Sequence, residues 1–169
     1  MLFVYPVRLG PDEGGQVAVT CRDLPEVITS GADRAEALAM AADALEVAIG
    51  GRLIDAEDIP VPSKPKRNEV LVAVPLRTAA KAVLHSLVAA SGLTQVALAE
   101  RLGVAPREVR RLLDPRYRSD IAKLEDAIAA AGGPLPALTA DLPAATAVAA
   151  RPRLGRPPKA AAGKGSKAA

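Results

Sequence analysis

QVALAERLGVAPREVRRLL, residues 95–113, contains two short helical patterns separated by a glycine. Ala99 stands four positions after Gln95, Gly103 four after Ala99, Val109 six after Gly103 and Leu112 three after Val109. A small Ala99 lets two helices cross closely, and Gly103 permits a tight turn. Leu98, Leu102, Val104, Val109 and Leu112 are expected to fill the space between the helices. The pattern predicts a helix-turn-helix over residues 94–113. On its second helix, at roughly 100° per residue, Val109, Leu112 and Leu113 fall on one side and Arg107, Arg110 and Arg111 on the other. One face packs; the other presents guanidinium groups, which can bond guanine edges or pair with phosphate in a major groove. A solvated face could carry the same arginines, and it is their combination with the hairpin pattern that favours DNA. The sequence leaves open which of the three would read bases. Thr94 and Gln95, opening the preceding helix, are candidates to hold a phosphate as helix N-termini do, and Glu108 on the arginine-bearing helix completes the candidate set. Ala105 stands where Ser or Thr commonly caps such a helix, while Pro106 suits a first helical position, where its missing N–H has no partner.

The helical period extends outward on both sides. Ala80, Val83, Leu84, Leu87 and Val88 recur at helical spacing until Ser91-Gly92, and further helices fit 94–102, 106–113 and 120–131, the last before Gly132-Gly133. From Pro134 the composition falls to Ala, Pro and basic residues, too poor in large apolar side chains to offset the entropy of ordering, so disorder is expected over 134–169. There RPRLGRPPK (151–159) resembles an AT-hook with Gly155-Arg156-Pro157 as its core and Arg153 and Arg156 as candidate DNA contacts. Leu154 stands where that motif has arginine, so a nonspecific polycationic tail is an equal alternative. Either adds salt-dependent DNA affinity.

Towards the N-terminus the period changes to two. Residues 2–9 are apolar and β-rich, PDEGG (11–15) supplies turn chemistry, and QVAVTC (16–21) follows with Val17, Val19 and Cys21 on one face, which reads as a hairpin. A short third strand is expected at 27–29. Asp33 can cap a helix from Arg34, with Glu36 completing a capping-box-like pair. Leu38, Ala41, Ala42, Leu45 and Ile49 form its apolar stripe, and Gly50-Gly51 are expected to end it, because glycine accepts the left-handed conformation that closes a last turn. After the Pro-rich VPSKPKRN (61–68), EVLVAV (69–74) reads as a fourth strand closed by Pro75. The expected chain is α+β: a β-β-β-α-β domain over 1–75, an all-α domain over 76–133 and the tail. Pro6 calls for a bulge or an edge strand, since proline cannot complete a central ladder.

The net charge of +3 conceals a polarity: residues 1–60 carry eleven acids against four bases, giving −7, while 151–169 carry six bases and no acid, giving +6. The front suits a basic protein and the rear suits phosphates. Aromatic residues are 2% of the chain, so two small cores must rely on Leu, Val, Ile and Ala, and self-association would add stability. A lone Cys21 excludes an internal disulfide and a cysteine-based zinc site, and a lone His85 leaves few soft ligands for a metal. Cys21 reads as a small buried strand residue and His85 as a packed or surface histidine without a catalytic neighbour. No cofactor is implied. No stretch approaches the ~20 apolar residues needed to span a bilayer, and no leader pattern precedes the first strand, so a cytoplasmic location without membrane contact is expected.

From YPVRL (5–9), DEGGQVAVTCRDLPEVITSG (12–31) with its Asp23-Leu24-Pro25 loop, and RAEALAMAADALEVAI (34–49), the chain resembles the HicB antitoxin family, the DNA-binding half of a two-gene toxin-antitoxin system. The resemblance continues through VLVAVPLRTAAKAVLH (70–85), ERLGV (100–104) and RRLLDPRYRSDIAKLEDAI (110–128). It implies a reduced RNase H-like front domain that masks a small, basic, HicA-like ribonuclease toxin, and a rear domain that represses its own operon by binding operator DNA. It also implies a homodimer or homotetramer. Cys21, at a commonly aromatic position, and Glu26, in place of a small loop residue, depart from the family pattern and bear on toxin contact.

Two other readings follow from the same residues. A stand-alone helix-turn-helix transcription regulator without a toxin partner would keep the rear domain and use the front for oligomerisation or ligand sensing. A metal nuclease would need converging carboxylates, yet LFVYPVRL contains none, Asp12, Glu13 and Asp23 fall in predicted turns, and Asp43 and Glu46 are spaced like a solvated helix face. No catalytic or metal-binding residue is therefore assigned, and the chain is expected not to be an enzyme.

Overall fold

The computed structural model describes residues 3–12 and 14–133. The tail expectations, including Arg153 and Arg156, and Glu13 of the first turn lie outside them.

Four antiparallel strands form one sheet in the order β3-β2-β1-β4: β1 (Val4–Pro11), β2 (Val17–Cys21), β3 (Ile28–Gly31) and β4 (Glu69–Ala73). The register sets Val7 opposite Cys21, Leu9 opposite Val19 and Tyr5 opposite Val72, so these six residues share a face. Tyr5, Val7, Val19, Cys21 and Val72 are buried there, as the alternation in the sequence requires. β3 begins one residue later than expected and leaves Ile28 exposed.

Pro6 needs neither bulge nor edge. The Val74 N–H donates to the Phe3 carbonyl, which directs the backbone groups of Phe3, Tyr5 and Val7 towards β4 and those of Pro6 towards β2. On that side pairing stops at Val7 and Cys21. The missing donor thus falls just beyond the ladder.

Helix α1 (Arg34–Asp55) covers the sheet and buries Ala37, Ala41, Leu45, Ala48, Ile49 and Leu53. Its start matches the capping expectation: the Asp33 carboxylate accepts the Glu36 N–H at 2.9 Å, while the Glu36 carboxylate reaches back to the Ala32 N–H at 2.7 Å. Its end does not. The helix runs through Gly50-Gly51 to Asp55, and Ala56, at φ 54°, turns the chain with its N–H bonded to Arg52 O. Burying Leu53 contributes ~1.5–3 kcal/mol, which with the ties of Arg52 to Glu26 and to Asp58 O offsets the ~1 kcal/mol that each interior glycine costs.

The Pro-rich crossover from α1 to β4 is fastened along its length. Tyr5 Oη donates to Pro60 O at 2.8 Å, Ser63 donates N–H and O–H to the Asp23 carboxylate, and Arg22 bonds Lys64 O and Glu69. Burial pushes the Tyr5 phenol well above its ordinary pKa, and the Arg22 guanidinium holds the Glu69 carboxyl low.

Among the described residues four helices follow: α2 (Leu76–Ser91), α3 (Gln95–Leu102), α4 (Pro106–Leu113) and α5 (Ile121–Ala130). Leu84, Leu98, Ala99, Val109, Leu112, Leu124 and Ile128 are buried among them. Residues 78–84 of α2 are buried all round because this stretch packs on α1 and also on α4 and α5. Thr78 Oγ1 donates to Glu46 on α1 at 3.0 Å. Among the described residues no single helix is long and apolar enough to cross a membrane.

Candidate nucleic-acid interface

α3 and α4 are joined by the three residues 103–105. Thr94 caps α3 by accepting the Ala97 N–H on Oγ1 at 3.1 Å. Gly103 takes the left-handed conformation, φ 65°, and its N–H bonds the last carbonyls of α3. Ala105 is extended and offers α4 no side-chain cap, and Pro106 stands in the first turn, both as the sequence indicates. Leu98, Ala99, Val109 and Leu112 fill the crossing and Leu102 is half-buried. Val104 departs from expectation at 40% exposure, because the left-handed turn at Gly103 carries it off the crossing.

The candidate residues separate into two groups. Glu108 lies between two arginines, 3.1 Å from Arg111 and 3.8 Å from Arg107, and the Arg111 guanidinium stands 5.1 Å from the Tyr117 ring centroid. Arg111 is therefore held on two sides, whereas Arg107 is 80% exposed. The Glu108 carboxylate is thus shared between two arginines. Gln95 and Arg110 line a separate cleft with His85, Arg116 and Ile54 at the end of α1.

Residues 106–118 carry five arginines against Glu108 and Asp114. Arg116, Tyr117 and Arg118, all exposed in the loop after α4, were not singled out from the sequence. Their clustered charge was the available signal, but only the fold brings Tyr117 back against α4.

Lys81 on α2 gave no such signal. It is 1% exposed, and its ammonium donates to the carbonyls of Arg111 and Asp114 and to Ser119 Oγ. Arg77, one turn earlier, donates to Ser119 O at 2.8 Å. Together they fasten the C-terminal end of α4 and its loop to α2. Burial lowers the Lys81 pKa to about 8, against the partly opposing attraction of Asp114.

Asp23 uses its carboxylate on Ser63, and among the described residues no group of three or more His, Cys, Asp or Glu side chains could hold a metal ion. Cys21 is buried and its thiol pKa is raised, chiefly by that burial, as befits a packing residue. His85 is half-buried at the cleft edge.

The described residues thus join an acidic helix over a sheet to an arginine-bearing helix pair. Residues 4–83 match the family described as HicB_like antitoxin of bacterial toxin-antitoxin system. The chain is 42% identical over 117 residues to Antitoxin HicB 1 of Photorhabdus laumondii, covering 69% of this chain and 74% of that protein. It is 36% identical to Antitoxin HicB of Escherichia coli K12 over 128 residues, 76% of this chain and 93% of the relative. With Antitoxin HicB of Pseudomonas fluorescens the identity is 33% over 129 residues, 76% and 88% of the two chains. The chain belongs to the HicB-like antitoxin family: it is an antitoxin, it is not an enzyme, and its family implies a toxin as partner.

Proposed function

We propose that the chain neutralises a small, basic ribonuclease toxin through residues 1–75 and represses its own operon through residues 76–133. In this reading the sheet with α1 is a reduced RNase H-like domain and α3 to α4 is a helix-turn-helix whose second helix enters the major groove. The observation that carries it is the exposed arginine face of α4, backed by buried Val109 and Leu112 and reached over a left-handed glycine turn. Arg107, Arg110 and Arg111 supply groove and phosphate contacts, Thr94 and Gln95 a phosphate contact, and Glu108 holds Arg111 for base reading. The two-fold symmetry of operator half-sites favours a homodimer or homotetramer. The charge of −7 over residues 1–60 suits a basic toxin.

The test measures two bindings on one purified chain, with R110A/R111A beside wild type. Operator affinity should fall at least ~10-fold, at ~1–3 kcal/mol for each base-contacting arginine, with toxin neutralisation unchanged. Loss of neutralisation in that variant would refute separable domains. Operator binding by wild type with no toxin partner at all would favour the stand-alone regulator.

A further inference from the structure

The side of α1 turned away from the sheet is not uniformly polar. Met40, Val47 and Ile54 are 41%, 74% and 45% exposed and follow one another at intervals of seven. At about 100° per residue the three lie within about 40° of one line along the helix. Single exposed apolar side chains are ordinary, but three in heptad register along one helix form a seam of the kind that packs against a second element.

Gly51 lies on the same line, between Val47 and Ile54. A Cβ there would meet nothing within 4 Å, and its backbone is not in the left-handed region. Nothing in the folded chain therefore calls for glycine, which disfavours a helix relative to alanine. Bare backbone flanked by two apolar side chains does serve one purpose: it shortens the distance at which another element can cross.

The charges beside the seam select the partner. By the same helical angle, Glu36, Asp43 and Asp55 fall within about 60° of the line, while the basic residues of α1, Arg34 and Arg52, are about 120° away. Arg52 is moreover held by Glu26 and Asp58 O. Arg110 and Arg116 stand across the cleft from Ile54, so the acidic stretch is the part from Glu36 to Gly51. A second copy of this chain would lay the same carboxylates against it; a cationic protein is complementary.

We infer that the outer face of α1, from Met40 through Val47 and Gly51, is the docking surface for the basic toxin, which crosses closest over Gly51 with its own apolar residues rimmed by Lys or Arg. This rests on the toxin-binding reading above and assigns it a surface.

The experiment titrates the full chain with a purified small, basic, HicA-like toxin from the same genome. Variants are Gly51→Ala, Gly51→Leu and Val47→Lys, and each preparation is also checked for thermal melting, operator binding and oligomer size. Toxin affinity should fall in graded fashion from Gly51→Ala to Gly51→Leu, by at least 10-fold for the latter, and by at least 10-fold for Val47→Lys, with operator binding preserved and the melting temperature of no variant lowered. Wild-type toxin affinity in all three variants would overturn the assignment while leaving the antitoxin reading intact. Smaller oligomers with unchanged toxin affinity would overturn it in favour of self-association. Failure of wild type to bind any toxin would instead remove the reading on which it rests.

Discussion

Replacing Lys81 by Met tests whether the buried ammonium holds α4 in place or is merely tolerated. Its three hydrogen bonds come from a charged donor, each contributing ~1.5–3 kcal/mol, so together ~5–9 kcal/mol stands against a desolvation penalty of several kcal/mol for one buried ion. Methionine fills much of the same volume and removes that penalty. The acceptors do not become wholly unpartnered, because Ser119 Oγ still donates to Arg111 O at 3.2 Å and the Tyr117 N–H to Asp114 O at 3.1 Å. The expected net loss at pH 7 is therefore ~1–3 kcal/mol, read from paired urea titrations. The pH dependence has a definite sign. With the folded pKa at about 8 and the free value at 10.5, the unfolded chain holds more protons between those limits. Wild-type stability should accordingly rise with pH across that window relative to the Met variant, by up to ~1.4 kcal/mol per pH unit, and the difference should be constant below it. A Met variant more stable than wild type at pH 7 would refute the claim that the bonds outweigh desolvation. A difference that stays flat to pH 10 would refute the lowered pKa.

Two glycines should respond oppositely to alanine. Gly31→Ala places a Cβ into the backbone of Glu36 and Ala37 and should lose at least ~2 kcal/mol, whereas Gly51→Ala meets open space and should gain ~0.5–1 kcal/mol; urea midpoints decide both. Thr94→Ala removes the α3 cap and should cost about 1 kcal/mol, with Thr94→Ser restoring most of it in the same titration. Glu108→Ala releases Arg107 and Arg111 from their shared carboxylate. Fluorescence anisotropy should show random-sequence DNA bound more tightly and the operator-to-random affinity ratio reduced at least ~3-fold, since an unanchored arginine finds phosphate as readily as a base edge; an unchanged ratio would show that Glu108 does not position Arg111.

Much of the candidate interface was legible because it rests on local rules. Ala99, Gly103, Val109 and Leu112 occupy the spacing that a tight helical crossing needs, and the structure buries Ala99, Val109 and Leu112 and puts Gly103 at positive φ. Val104 was misassigned because hydrophobicity alone does not tell on which side of a turn a residue emerges. The division of the arginines was out of reach for a related reason: Arg111 is distinguished by Tyr117, six residues later in a loop whose path no local rule fixes.

Periods of 2 and 3.6, and side chains acting within a few residues of themselves, fix the order of elements, the capped start of α1, the buried face of β2 and the polarity of charge. Three features wait on long-range packing. α1 continues past Gly50-Gly51 because Leu53 finds a core and Arg52 finds Glu26, 26 residues away. Pro6 sits in an inner strand because the β1 to β2 ladder ends just short of it. Lys81, unremarkable on an otherwise apolar helix, clamps α4 because carbonyls 30 and 33 residues further on converge on its ammonium. Each depends on groups far apart in the chain, whose approach is set by how the whole fold packs.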